Sequence, residues 1–155
     1  MAQFEFQLEG VLQHLERVEK DRQRDLAAAQ AEMVRLDAEL QSLNRDVQQS
    51  TADMRDHHLV GRLDMSYLAA HRRYMLGMQR RVIAVAEQMG RQQVVIDSAR
   101  WALAQASKEK KILEKLKEKQ RQEWAAALAR REAGELDELT TQLSFRNLSQ
   151  PEVTP

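Results

Sequence analysis

Apolar residues return along much of this chain at alternating steps of four and three. From Leu68 the series runs through Met75, Met78, Val82, Val85, Met89, Ile96, Ala99, Leu103, Ala106 and Leu113. That is the heptad spacing of a coiled-coil seam. Its gaps fall at His71, Gln92 and Lys110, which are polar or charged. The seam lies in a proline-free segment, Met65 to Arg146, which predicts one continuous helix. At about 1.5 Å of rise per residue that helix is roughly 120 Å long, more than a globule of this mass can span, so the pattern predicts a rod.

Upstream, Phe4, Phe6 and Leu8 alternate and then pass into Leu8, Val11, Leu15 and Val18, which is helical spacing. Val18 to Arg22 to Leu26 are two fours in succession, a stutter that locally unwinds a left-handed supercoil. From Leu26 the series is regular through Ala29, Met33, Leu36, Leu40, Leu43, Val47, Ser50 and Met54. The opposite face is charged, with Arg35 and Glu39 spaced to touch.

Between Met54 and Leu68 the heptad phase continues only through His57, Gly61 and Asp64, none of which fills a coiled-coil core. Gly61 tolerates the backbone angles of a reversal, and Asp64 is a suitable N-cap. The expected fold is all-α, with two long helices in an antiparallel coiled-coil hairpin, the second helix longer. Helices are expected over about 6–58 and about 65–146 with a turn over about 59–64, making a single hairpin of 1–146. The polar, proline-punctuated tail 147–155 is expected to be disordered. One unbroken helix that dimerises in parallel would show the same pattern.

Folding the chain about residue 62 sets Leu8 opposite Leu116 and leaves roughly 25 residues of the second helix, about 40 Å, without an intramolecular partner. That overhang carries Trp124, Leu128, Leu136, Leu139 and Leu143. Apolar residues on a bare helix end call for a surface on another protein.

Composition fits long solvated helices: aromatics are 5% and charged residues 31% of the 155 residues. Lys+Arg and Asp+Glu are 24 each, so no net field draws the chain to nucleic acid or an anionic membrane. The absence of cysteine fits a reducing compartment and removes disulfides and thiolate metal sites. Met1 to Gly10 lacks the basic start and apolar core of a signal peptide, and no apolar run is long enough to span a bilayer. A soluble cytoplasmic protein is expected, able to dock at a membrane through another protein.

Candidate chemistry is sparse. His57 and His58 lie beside Asp53 and Asp56, but adjacent helical residues point about 100° apart, so the imidazoles do not converge on a metal. They are expected to solvate the helix end instead. There is no phosphate-binding glycine loop, no nucleophile elbow and no pocketed carboxylate pair. Neither catalysis nor a cofactor or metal is expected.

Lys108 to Glu123 has a modest basic excess, read as a solvated face in which Glu114 pairs with Lys117 and Glu118 with Arg121. It lacks the interleaved aromatics of a nucleic-acid groove. Off the seam, with Met75 as an a position and Met78 and Val85 at d, Tyr67, Tyr74 and Arg81 share the g position, Leu76 and Ile83 share b, and Trp101 is at f. Tyrosine and tryptophan outside a core are common interface anchors.

The opening Phe4-Glu5-Phe6-Gln7-Leu8-Glu9-Gly10-Val11-Leu12 and the tyrosine-bearing start of the second helix are joined by Leu113-Glu114-Lys115-Leu116, Arg131-Glu132 and Glu135-Leu136-Asp137-Glu138. In that order and spacing the chain resembles the FliJ family of flagellar type III export proteins. The resemblance implies an antiparallel two-helix hairpin similar to the central stalk of rotary ATP synthases.

It further implies that the end bearing both termini enters the hexameric ring of the flagellar export ATPase, using Leu8, Trp124, Leu128, Arg131 and Leu136. The second helix near the turn would contact the cytoplasmic domain of the large export-gate membrane protein through Tyr74, Met78, Arg81 and Val85. Tyr74 and Met78 keep the character of the family's stripe, whereas Arg81 and Val85 depart from it. The heptad pattern instead assigns Met78 and Val85 to the seam.

Export chaperones are the third implied partner, and the chain is expected to be a monomer. The expected function is thus a non-enzymatic coupling factor between ATPase and gate, peripheral to the inner face of the cell membrane at the flagellar base. The alternatives from the residues are a self-associating structural spacer, and a secretion chaperone that holds unfolded clients on exposed helices.

Overall fold

The computed structural model describes residues 3–148. Helix α1 spans Glu9–Asp53 and runs into a π-helical turn, Met54–His58, and helix α2 spans Met65–Leu148. Among the described residues there is no strand, and the fold is all-α with the second helix the longer. Residues 147 and 148 of the expected tail are helical, and the rest of that tail lies outside the described residues.

The reversal is built from the residues that suit one. Gly61 sits at φ +85°, the left-handed region that a side chain disfavours. Asp64 Oδ1 accepts from the backbone N–H of Ser66 at 2.9 Å and of Tyr67 at 3.2 Å, satisfying two donors that the first turn of α2 leaves without an intrahelical acceptor. An unbroken helix pairing in parallel with a second chain is therefore not the fold.

Among the described residues, contacts group the chain into two compact units, Arg17–Ser107 and 3–16 with 108–148. In the first, the cross-helix partners on α2 descend as those on α1 rise. Glu19 accepts from Ser107 Oγ, the Ala29 carbonyl accepts from Gln92 Nε2 at 2.9 Å, and Ser50 Oγ meets His71 Nδ1 at 3.3 Å. The pairing is antiparallel. It also explains two of the polar gaps, since Gln92 and His71 each find a polar partner across the seam and so are not left unsatisfied.

The core of this unit is Leu36, Leu43, Met78 and Val85, with Leu40, Val47, Val82 and Met89 packed around it. Every one is a heptad position, and burying such a side chain is worth about 1.5–3 kcal/mol. At the stutter the packing thins. Arg22 stays exposed, paired with Asp25 at 3.4 Å, and a groove of about 420 Å³ opens between these two residues and Val94, Val95, Ser98, Ala99 and Ala102 of α2.

In the second unit the seam is closed by Phe6 and Leu12, both buried. This corrects the expected phase, which runs through Leu8 and Val11, because both of those are exposed. Leu15 can be reached from Val11 by a step of four or from Leu12 by a step of three, and both steps are legal in a heptad. The helix also begins only at Glu9, whose N–H bonds the Phe6 carbonyl at 3.1 Å, so Leu8 sits in the entry turn.

Candidate functional site

Two stretches of α2 carry the residues assigned to partners. Near the turn, Tyr74 is 47% exposed and Arg81 is exposed, whereas Met78 and Val85 are only 5% and 4% exposed and pack with Leu36 and Leu43. Met78 and Val85 are d-type positions facing α1, so the structure places them in the core and not on a partner-facing stripe. What remains on the surface there is Tyr74 and Arg81, accompanied by exposed Tyr67, Leu76 and Ile83.

The histidines at the turn are separated by the backbone, as adjacent helical residues are. His58 stacks on Tyr67 with ring centroids 3.8 Å apart and planes at 21°, while His57 is exposed. Among the described residues no group of His, Cys, Asp or Glu is arranged to hold a metal ion. Nor is any described helix long and apolar enough to cross a membrane.

The other stretch is the end of α2. Trp124 is not bare. Its ring meets Phe4 at 6.0 Å between centroids and 52° between planes, a tilted aromatic pair. Helical counting misses this contact because residues before Glu9 are not helical, so a rise of about 1.5 Å per residue does not apply to them. Phe4 therefore reaches further along α2 than its number suggests.

Close by, Lys117 Nζ donates to Glu9 Oε2 at 2.6 Å and lies 5.9 Å from the centre of the Phe6 ring. Lys117 is thus committed across the hairpin, not to Glu114, which pairs with Lys110 at 3.6 Å. The expected Glu118–Arg121 pair does form, at 2.9 Å, and hydrogen bonds from Arg121 and Gln122 pull the Glu118 carboxyl down to about 2.

Beyond Leu128, which is half-buried like Trp124, every described residue from Ala129 to Arg146 is exposed. The exposed stretch therefore starts later than the expected overhang. Of the residues assigned to the ATPase ring, Leu8, Arg131 and Leu136 lie on the surface, whereas Trp124 and Leu128 are partly covered.

The model of the flagellar FliJ protein family matches residues 4–149, nearly the whole chain and both of these stretches. The chain belongs to the FliJ family. A FliJ-family chain is a component of flagellar protein export. No curated protein sequence matches it. A solved structure of a YscO homolog from Chlamydia trachomatis is similar to this FliJ-family chain at 20% identity and a TM-score of 0.49, covering 96% of this chain and 100% of that one.

Proposed function

We propose that this FliJ-family chain couples the flagellar export ATPase to the membrane export gate and assists export chaperones, without catalysing a reaction itself. It would act in the cytoplasm, held at the inner face of the membrane at the flagellar base by its protein partners. The observation that carries this is the exposure of the leucines toward the end of α2. Once Phe4 and Trp124 close the paired part, Ala129 to Arg146 continue as exposed helix bearing Leu136, Leu139 and Leu143. A helix with exposed leucines at steps of three and four suits a helix-binding socket, as a hexameric ring can supply.

The gate contact falls to Tyr74 and Arg81, with Met78 and Val85 holding that surface in place from within the seam. The test is a truncation after Leu128, which leaves Trp124 and its partner Phe4 in place. The shortened chain is expected to keep its hairpin and to lose both capture of the export ATPase and stimulation of its turnover. Full stimulation by the truncated chain would overturn the ring-binding assignment.

A further inference from the structure

A second apolar register runs along α2, separate from the seam. Leu76, Ile83, Val94 and Trp101 are 46%, 59%, 68% and 68% exposed. At about 100° per residue they fall within roughly 20° of one line, on the side of the helix away from Met78 and Val85. Their intervals of about seven and eleven residues average about 3.6 per turn, the period of a straight α-helix, whereas a coiled-coil seam follows about 3.5. The stripe is therefore not overflow from the core.

Arginines edge the Leu76–Ile83 part of this stripe, whereas Glu87 falls on its line between Ile83 and Val94 and Asp97 lies beside Val94 and Trp101. Arg72, Arg73, Arg80 and Arg91 flank the stripe, and none has an ion-pair partner among the described residues. No Asp or Glu occurs from Met65 to Ala86. The stripe is one side chain wide, far narrower than the roughly 100° apolar sector that beds a helix into a lipid interface. The Leu76–Ile83 part, narrow, free of acids and bordered by positive charge, suits a single helix with acidic borders.

The chain itself carries such a helix. From Glu132 to Phe145 there is no basic residue, and Leu136, Leu139 and Leu143 are exposed on one face with Glu132 and Glu135 beside them. Leu136 and Leu143 are two turns apart, as are Leu76 and Ile83. We propose that the acidic leucine face of one copy docks on the arginine-edged Leu76–Ile83 part of the stripe on a second copy. This is a weak interface in which apolar burial supplies attraction and charge sets the register.

The association itself does not depend on the function proposed above, but one consequence rests on it. The leucine face assigned to the ATPase ring is the face the second copy would occupy, so self-association and ring engagement exclude each other. Copies would pair when no ring is available and separate when one is.

Sedimentation velocity of the full chain over about 1–200 µM, the range in which small interfaces dissociate, tests this without any ATPase present. The weight-average sedimentation coefficient is expected to rise with concentration, and to rise less in high salt. R72E/R80E and E132R/E135R, both surface changes between good helix formers, should each weaken association by about tenfold or more while keeping full helicity. Mixing the two variants should restore it, because each then offers the other a complementary face. A monomer at every concentration would overturn the proposal, as would association that both variants retain, or a folded mixture that fails to associate. Binding of the wild-type chain to anionic vesicles, lost in R72E/R80E and with no self-association, would assign the arginines to a membrane instead. Loss of ATPase stimulation on truncation after Leu128 is a separate measurement, so either idea can fail alone.

Discussion

Met78 and Tyr74 are one helical turn apart on α2 and should fail in opposite ways when cut to alanine. Met78 is 5% exposed and packs with Leu36, Leu43 and Val85. Met78→Ala removes the outer part of a buried thioether side chain and leaves a gap in a seam with only one helix opposite it, from which solvent-side neighbours can partly collapse. The cost therefore falls near the low end for such truncations, about 2 kcal/mol. For a chain of this size that lowers the melting temperature by about 4–8 °C. Tyr74, 47% exposed and outside the core, should shift it by no more than about 0.5 kcal/mol, or about 1–2 °C. Capture of the gate's cytoplasmic domain, measured well below both melting points, should show the reverse. Tyr74→Ala is expected to weaken it about tenfold, an aromatic anchor's worth of about 1.4 kcal/mol, and Met78→Ala to leave it nearly unchanged. Circular dichroism melts together with a binding titration decide the matter. If Met78→Ala abolished capture without lowering the melting temperature, the seam position of Met78 would be wrong. If Tyr74→Ala bound the gate as well as the wild type, the gate surface would be wrong.

Other consequences are local. Gly61→Ala meets no neighbouring atom but puts a Cβ at φ +85°, and should destabilise the hairpin by about 1 kcal/mol in a thermal melt, as should Asp64→Ala through loss of the cap on α2. In a Trp101→Phe background, where Trp124 is the sole tryptophan, Phe4→Ala should shift the fluorescence to the red as the ring is exposed to water, and cost about 0.5–1.5 kcal/mol. The Glu118 carboxyl, held near 2 by Arg121 and Gln122 against an ordinary value of 4.5, adds helix stability that is full above pH 4.5 and lost as the pH falls toward 2. Carboxyl NMR titration should find this depressed value, and Arg121→Ala should bring it back toward the ordinary range.

The linear pattern carried most of the fold. A heptad repeat constrains its residues locally, because side chains at steps of three and four fall on one side of any α-helix whatever it packs against. The core positions Leu36, Leu43, Met78 and Val85, the turn at Gly61 and the cap at Asp64 could all be read that way. So could the exposure of Tyr74 and Trp101, which sit outside the seam. What needed the folded chain was anything set by geometry across it. Leu12 took the place of Val11 because steps of three and four serve a seam equally well, and only the opposing helix selects between them. The pairing of Phe4 with Trp124 depended on a non-helical lead-in whose reach cannot be counted in helical turns, and Lys117 turned to Glu9 because a carboxylate across the hairpin was the better-placed partner. Met78 and Val85 share one seam face, and α1 packed against it upholds the heptad assignment over the partner-facing stripe that the family resemblance implied.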